Sequence, residues 1–357
     1  METRNSIYPC RLAEHGLVAE GALRMAPLLV LPRLLADHGV DADAVIREAG
    51  CDPVLFTNPE NTIDFAAVGR LLAHTAAVTG DPYPGLELGR RSSLDVLGVL
   101  GGAICLAPDL GTALRALILH FHLHDRGAVP SLWESDNHAM FGYTLYRPDV
   151  PGTDHIYDAA LVISRNVLMK LTGKKLKISE VRMFRDQPAY IEPFRQYFRT
   201  RLCFGAAHAA IVFPVADLAR PLPGADPDTY AKALRDLENM EGASDSNLIG
   251  SKVRRLLHRM FIAGSGPDGI DLQRIAQLFE LHPRTLNRRL RVEGTTFNAL
   301  LAETRYDIAR QLLRDTHLQA ADIAFILGYA ETASFNHAFR RWSGTNATEW
   351  RSSNGAS

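Results

Sequence analysis

The segment ILGYAETASFNHAFRRW, residues 326–342, combines two kinds of surface in one short span. Large apolar residues such as Phe335 and Phe339 alternate with hydrogen-bonding residues such as Asn336 and His337. A helix with this spacing can bury one side in a core and present the other side to a polar partner. The segment therefore predicts the wall of a small helical domain with an outward binding surface.

An earlier segment, IAQLFELHPRTLNRRLR at 275–291, can be laid over IAFILGYAETASFNHAFRR at 323–341. The offset is 48 residues before the middle turn and 49 after it, so Asn287 falls on Asn336. The same unit thus occurs twice, with one extra residue in the second turn. Each copy predicts a helix, a tight turn and a second helix.

The two helix-turn-helix motifs are expected at about 271–292 and 319–342. Pro283 suits the first turn of a helix, and Gly328 suits the left-handed conformation at which a helix ends. The segment between them, 295–315, has helical spacing, and about 19 residues at a rise of 1.5 Å make a strut of roughly 28 Å. Such a strut can hold two recognition helices about one DNA turn, roughly 34 Å, apart.

The outward sides of the second helices carry residue types that read DNA. Arg pairs with guanine and Asn with adenine through two hydrogen bonds, while Thr and His use one. The alternative interpretation is that these are amphipathic helices whose arginine-bearing sides are only solvated. The presence of two aligned copies joined by a strut disfavours it. The predicted DNA-binding residues are Arg284, Asn287, Arg288 and Arg289 in the first copy, and Thr332, Asn336, His337, Arg340 and Arg341 in the second.

Charge divides the chain in the same way. The net charge is −1, but from Asn247 onward 15 Lys and Arg stand against 10 Asp and Glu, whereas the preceding residues carry 24 and 30. A basic part joined to an acidic part indicates a polyanion-binding module beside a module with another role.

The N-terminal part mixes helical and alternating periods. Without regular strand-helix-strand alternation, it predicts an α+β domain rather than a parallel doubly wound sheet. Helices are expected at 65–80, 109–125 and 157–173, a hairpin at 129–146, and strands at 178–184 and 209–214. The apolar segment at 28–39 is either core or a partner-binding helix, and core is favoured.

The predicted organisation has three parts. Residues 1–225 form the α+β ligand-sensing and oligomerisation domain, and residues 226–246 form a linker with a short helix from Asp226 to Met240. Residues 247–351 form an all-α DNA-binding domain with two helix-turn-helix motifs joined by a long helix.

This C-terminal part resembles the DNA-binding domain of the AraC/XylS family of transcription regulators, most closely in IAFILGYAETASFNHAFRRWSGTNATEWR at 323–351. The N-terminal part resembles the family's arabinose-binding-like sensor domain. Matching pieces include TGDPYPGLELG at 79–89, APDLGTALRAL at 107–117 and FRTRLCFGAAHAAIVFP at 198–214. The sequence departs from the family pattern at four positions. Glu280 stands where the family frequently has Gly, and His282 stands where it frequently has Ser. His337 stands where the family more often has Arg, and Ala347 stands where Pro is usual.

The resemblance implies a cytoplasmic, sequence-specific transcription regulator controlled by a small-molecule effector in the N-terminal domain. Its implied partners are double-stranded DNA, a second copy in a homodimer, and RNA polymerase as a further candidate. The effector class stays open among amino-acid derivatives, fatty acids and aromatic compounds. The operator, and the choice between activator and repressor, also stay open.

An enzyme or DNA-repair sensor with an appended DNA-binding domain is the alternative. A repair sensor of this kind needs a four-thiolate zinc site, but the four cysteines are scattered, with no CxxC spacing. His120 and His124 would share one side of a helix, but no full ligand set accompanies them. The sequence therefore predicts no catalytic residue, metal or cofactor. No apolar run approaches the ~20 residues of a membrane helix.

Overall fold

The computed structural model describes residues 18, 21–135, 137–145, 150–206, 208–240, 248–262, 270–315 and 319–354. The chain divides into two compact units, Met1–Met240 and Glu241–Ser357. The short helix expected in the linker is present at Pro227–Met240 and lies in the first unit. The rest of the expected linker, 241–246, lies outside the described residues.

The first unit combines helices with two sheets. Its helices are α1 (Leu31–Asp37), α2 (Ala42–Glu48), α3 (Phe65–Thr79), α4 (Pro84–Arg90), α5 (Gly98–Ile104), α6 (Leu110–His120), α7 (Thr153–Leu171), α8 (Glu192–Phe198) and α9 (Pro227–Met240). Its strands are β1 (Ala22–Arg24), β2 (Thr62–Asp64), β3 (Ala128–Glu134), β4 (His138–Leu145), β5 (Glu180–Arg182), β6 (Arg201–Cys203) and β7 (Ala209–Pro214).

The larger sheet has five strands in the order β3-β4-β7-β5-β6, and only the β5–β6 pair is parallel. The hairpin expected at 129–146 is β3 and β4, with Ala128 opposite Leu145 and Glu134 opposite Ala139. The first five residues of β7 are all buried, as in a strand covered on both sides. The predicted α+β class is confirmed.

Local signals in the sequence fix several helix ends. The Asp64 side chain accepts a hydrogen bond of 2.8 Å from the Ala66 N–H at the start of α3, and Gly80 ends that helix at φ 70°. These are the cap and the stop that the sequence predicts. In the 28–39 segment, Leu31, Leu34 and Leu35 are fully buried, so α1 belongs to the core, as favoured.

Two glycines bring α4 and α7 into close contact. A Cβ atom on Gly85 would lie 2.0 Å from the His155 carbonyl oxygen, and one on Gly89 would lie 2.5 Å from the Val162 Cβ. Only residues without a side chain allow the two helices to approach this closely. Gly85 and Gly89 of the TGDPYPGLELG segment therefore allow α4 and α7 to pack closely in the first unit.

The described part of the second unit is helical. It contains α10 (Ile249–Ile262), α11 (Leu272–Leu278), α12 (Pro283–Val292), α13 (Phe297–Asp315), α14 (Ala320–Ile326), α15 (Thr332–Ser343) and α16 (Ala347–Asn354). The expected strut is α13, which packs against α10, α15 and α16, while α11 packs on α12 and α14 on α15. The predicted all-α class, with a long helix between two helix pairs, is confirmed.

Among the described residues, no helix is both long enough and apolar enough to span a membrane.

Candidate nucleic-acid interface

Within each helix pair, a turn joins the two helices, and the two turns have matching conformations. In the first pair the turn contains Glu280 at φ 53°, and in the second it contains Gly328 at φ 71°. Glycine adopts this left-handed conformation freely, whereas a side chain makes it unfavourable by roughly 1–2 kcal/mol. The departure at Glu280 therefore leaves the turn geometry intact at a small cost in stability.

The second helix of each pair is anchored by buried apolar residues. Leu286 and Leu290 of α12 and Phe335 and Phe339 of α15 are fully buried and lie one turn apart. At the start of α12, Nδ1 of His282 accepts a hydrogen bond of 3.2 Å from the Arg284 N–H. His282 thus takes the capping role for which serine is frequent.

All nine predicted DNA-binding residues reach the surface of the second unit. Arg284, Arg288, Arg289, His337, Arg340 and Arg341 are exposed, and Asn287, Thr332 and Asn336 are half-buried.

On α12, three exposed arginines form one outward stripe. Arg284, Arg288 and Arg291 are spaced by four and three residues, which places them on the side opposite the buried leucines. Asn287 lies at the edge of the stripe, and Arg289 lies on the other flank. In the alignment of the two copies, Arg291 corresponds to Arg340. Arg291 is nevertheless missing from the DNA-binding residues predicted from the sequence.

On α15 the corresponding stripe is less charged. Ala333 occupies the place of Arg284, and His337 and Arg340 follow at four and seven residues. Thr332 is the first residue of the helix, toward its buried edge. The two second helices therefore share a shape but present different hydrogen-bonding groups.

The arginines of these two helices are available to an external anion. The ion pair of Arg254 with Glu303 (2.8 Å) and that of Arg310 with Asp307 (2.9 Å) both lie outside α12 and α15. A phosphate backbone supplies the negative charges that such unpaired arginines favour.

Glu293, directly after α12, fixes the position of that helix. Its two carboxylate oxygens accept hydrogen bonds from the Ile249 N–H (2.8 Å) and the Gly250 N–H (2.7 Å) at the start of α10. A carboxylate at a helix N-terminus also interacts favourably with the helix dipole. This long-range contact is absent from the sequence prediction, because nothing near Glu293 indicates its partner.

Arg305 performs the same task for the second helix pair. Its Nε donates a hydrogen bond of 2.9 Å to the Leu327 carbonyl in the turn before α15. Its guanidinium lies 4.6 Å from the ring centre of Tyr329 and 5.5 Å from that of Phe261 in α10. Arg305 therefore connects the strut, the turn and α10, and it too is absent from the sequence prediction.

The histidines considered as metal ligands do not share a helix side. α6 ends at His120, and a short 3-10 helix, Phe121–Leu123, precedes His124. Among the described residues, no group of three or more His, Cys, Asp or Glu side chains is placed to hold a metal ion. Cys51, Cys105 and Cys203 form no disulfide bond with one another, and Cys10 lies outside the described residues.

Two helix pairs with outward arginine-bearing helices define a DNA-binding protein of the helix-turn-helix class. Residues 39–222 match the arabinose-binding N-terminal domain of the AraC transcription regulator, and residues 275–353 match a helix-turn-helix domain. The chain belongs to the AraC family of transcription regulators.

Relatives along most of the chain are also regulators. The ornithine utilization regulator of Pseudomonas aeruginosa is 26% identical over 319 residues, which cover 89% of this chain and 93% of the relative. The regulator VirS of Mycobacterium tuberculosis is 25% identical over 326 residues, covering 91% and 94%. The crystal structure of the regulator CdpR from Pseudomonas aeruginosa covers 75% of this chain and 86% of its own, at 26% identity and a TM-score of 0.39.

Proposed function

We propose that this regulator places α12 and α15 in two successive major-groove segments on one side of a DNA duplex. The observation that carries the proposal is the exposed stripe of Arg284, Arg288 and Arg291, whose charges have no carboxylate partner among the described residues. A major groove about 12 Å wide admits one helix.

The residues of the interface divide by role. Arg288, with Asn287, reads base edges in the first segment, and Asn336 and His337 do so in the second. Arg284, Arg289 and Arg291, with Thr332, Arg340 and Arg341, contact phosphates or bases at the edges of the two segments.

The two parts of the chain divide the work. Residues 247–351 bind DNA, residues 1–225 bind the effector and pair with a second copy, and the segment with α9 connects them. One relative is named for ornithine utilization, which supports a small metabolite as effector. The protein acts in the cytoplasm, where RNA polymerase is its further partner, and it has no enzymatic activity.

Binding-site selection from random DNA, followed by gel shifts on the selected operator and a scrambled copy, tests the proposal. The wild type should prefer the operator by about 10³-fold or more, which is the low end for specific DNA-binding proteins. The triple variant Arg284→Ala, Arg288→Ala and Arg291→Ala should lose that preference. Equal binding of the two DNAs by the wild type would refute sequence-specific recognition.

A further inference from the structure

The first unit contains a cavity that is lined by residues between Leu23 and Val167. Apolar side chains from several elements form the walls, among them Phe65 of α3, Leu117 of α6, Phe141 of β4 and Ile163 of α7.

Charged side chains are scarce around this cavity. Among the described residues that line it, Asp125 is the only carboxylate, and none is Lys or Arg. Arg24 lies nearby, but its guanidinium donates a hydrogen bond of 2.6 Å to the Leu123 carbonyl and pairs with Glu60. An anionic ligand would therefore be buried without a counter-charge, which is strongly unfavourable.

Asp125 is already engaged. One carboxylate oxygen accepts hydrogen bonds from the Gly127 N–H (2.8 Å) and the Ala128 N–H (3.0 Å), and the other accepts one from the Tyr143 hydroxyl (2.8 Å). These three donors occupy three of the roughly four acceptor positions of the carboxylate, and they fix the chain where it enters β3. A ligand ammonium group would have to compete with them.

His124 is the unpaired polar group of the cavity. Its ring is buried, lines the cavity, and its Nδ1 has no hydrogen-bond partner among the described residues. Burial, with the charge of Arg24, lowers the pKa of His124 to about 3. The ring is therefore neutral near pH 7, with one nitrogen that donates and one that accepts a hydrogen bond.

We infer that the cavity binds an uncharged, mostly apolar ligand whose hydroxyl or similar group forms a hydrogen bond with Nδ1 of His124. The inference rests on the proposed effector-controlled function, because it names the class of effector. Both an apolar wall and an unpaired buried nitrogen are explained by one occupant, since unpaired buried polar groups are rare in folded proteins. A zwitterionic amino acid does not fit these walls.

Three probes of similar size separate the possibilities: 4-propylphenol, propylbenzene and 3-phenylpropylammonium. Isothermal titration of the full chain gives each dissociation constant. 4-Propylphenol should bind about ten- to a hundredfold more tightly than propylbenzene, because its hydroxyl satisfies a buried partner. The inference is overturned if propylbenzene binds as tightly, or if the ammonium probe binds best and so identifies Asp125 as the anchor.

His124→Phe should reduce 4-propylphenol binding to the level of propylbenzene. His122→Phe is the matched control, because His122 is also buried but its Nδ1 lies 3.2 Å from the Leu119 carbonyl oxygen and it does not line the cavity. The control should keep the preference for the phenol. Equal loss of that preference in both variants would contradict the assignment.

A measurement on the wild type covers the case in which His124→Phe does not fold. The ¹⁵N resonance of the His124 Nδ1 should shift when 4-propylphenol binds and stay in place with propylbenzene, and an unmoved resonance overturns the inference. Gel shifts on the same protein test DNA binding separately. If the protein binds DNA specifically but does not prefer the phenol, only the ligand inference is wrong. If it prefers the phenol but does not bind DNA specifically, the proposed DNA-binding function is wrong.

Discussion

Removal of the Arg305 side chain should affect the second helix pair more than the first. Arg305→Met keeps an apolar stem but removes the 2.9 Å hydrogen bond to the Leu327 carbonyl and the guanidinium stacked on Tyr329 and Phe261. A hydrogen bond to a charged group contributes about 1.5–3 kcal/mol, and each stacked cation about 0.5–1 kcal/mol. Allowing for the contacts that Met retains, we expect a loss of about 2–4 kcal/mol in the unfolding free energy of the second unit.

Urea unfolding followed by tryptophan fluorescence measures this loss. The chain has three tryptophans, and in a Trp133→Phe background only Trp342 and Trp350 of the second unit remain. Because Arg305 holds the turn before α15, the variant should also bind the second groove segment more weakly than the first.

Arg310→Met is the matched control on the same helix. Arg310 also lies over an aromatic ring, 4.9 Å from the centre of Tyr306, and pairs with Asp307 at 2.9 Å, but both of these charged side chains are exposed. Exposed pairs contribute about 0–1 kcal/mol, so the control should remain close to the wild type. Equal destabilisation by the two substitutions would refute the assignment of Arg305 as the connecting residue.

Four further results are expected. Arg288→Ala should weaken binding to the operator by about 1–3 kcal/mol and relax the preference at one base pair in gel shifts. Arg341→Ala should weaken binding to operator and scrambled DNA alike and flatten the salt dependence by about one unit. His337→Ala should weaken binding to the operator more than binding to scrambled DNA, because its imidazole hydrogen-bonds a base edge in the proposed second groove segment. His124→Phe should flatten the pH dependence of unfolding, because burial lowers the pKa of His124 to about 3. The folded state then binds fewer protons than the unfolded state from about pH 3 to 6.5, so the wild type loses stability as pH falls through that window, by up to about 1.4 kcal/mol per unit.

Each of these expectations has an opposing result. An unchanged specificity ratio for Arg288→Ala would remove that residue from base reading, and a sequence-dependent loss for Arg341→Ala would remove that one from the phosphate contacts. Equal weakening of binding to operator and scrambled DNA by His337→Ala would remove His337 from base reading. An unfolding profile that is equally steep in His124→Phe would show that another group causes the acid sensitivity.

The helices that carry the interface follow from local sequence alone. Apolar spacing, Pro283 and Gly328 determine where the helix pairs lie, and the repeat aligns their outward sides. The same is true of α3, whose cap and stop are adjacent to it in the chain. Such signals can be recognised because cause and effect are separated by only a few residues.

Contacts between distant residues could not be predicted in this way. Glu293 meets the start of α10 across more than 40 residues, and Arg305 meets its turn across 22. Glu280 has a positive φ because the turn requires it, although a residue with a side chain disfavours this conformation. The cavity beside His124 is assembled from residues between Leu23 and Val167, and no local pattern announces it.

The most direct test of the central claim is methylation interference on the selected operator, because methylation of guanine N7 blocks contacts in the major groove. If one chain inserts both α12 and α15, interfering guanines should form two clusters separated by about 10 base pairs. Arg288→Ala should weaken the interference within one cluster, and His337→Ala should weaken it within the other. A single cluster, or the loss of both clusters in either variant, would contradict recognition by two helices of one chain.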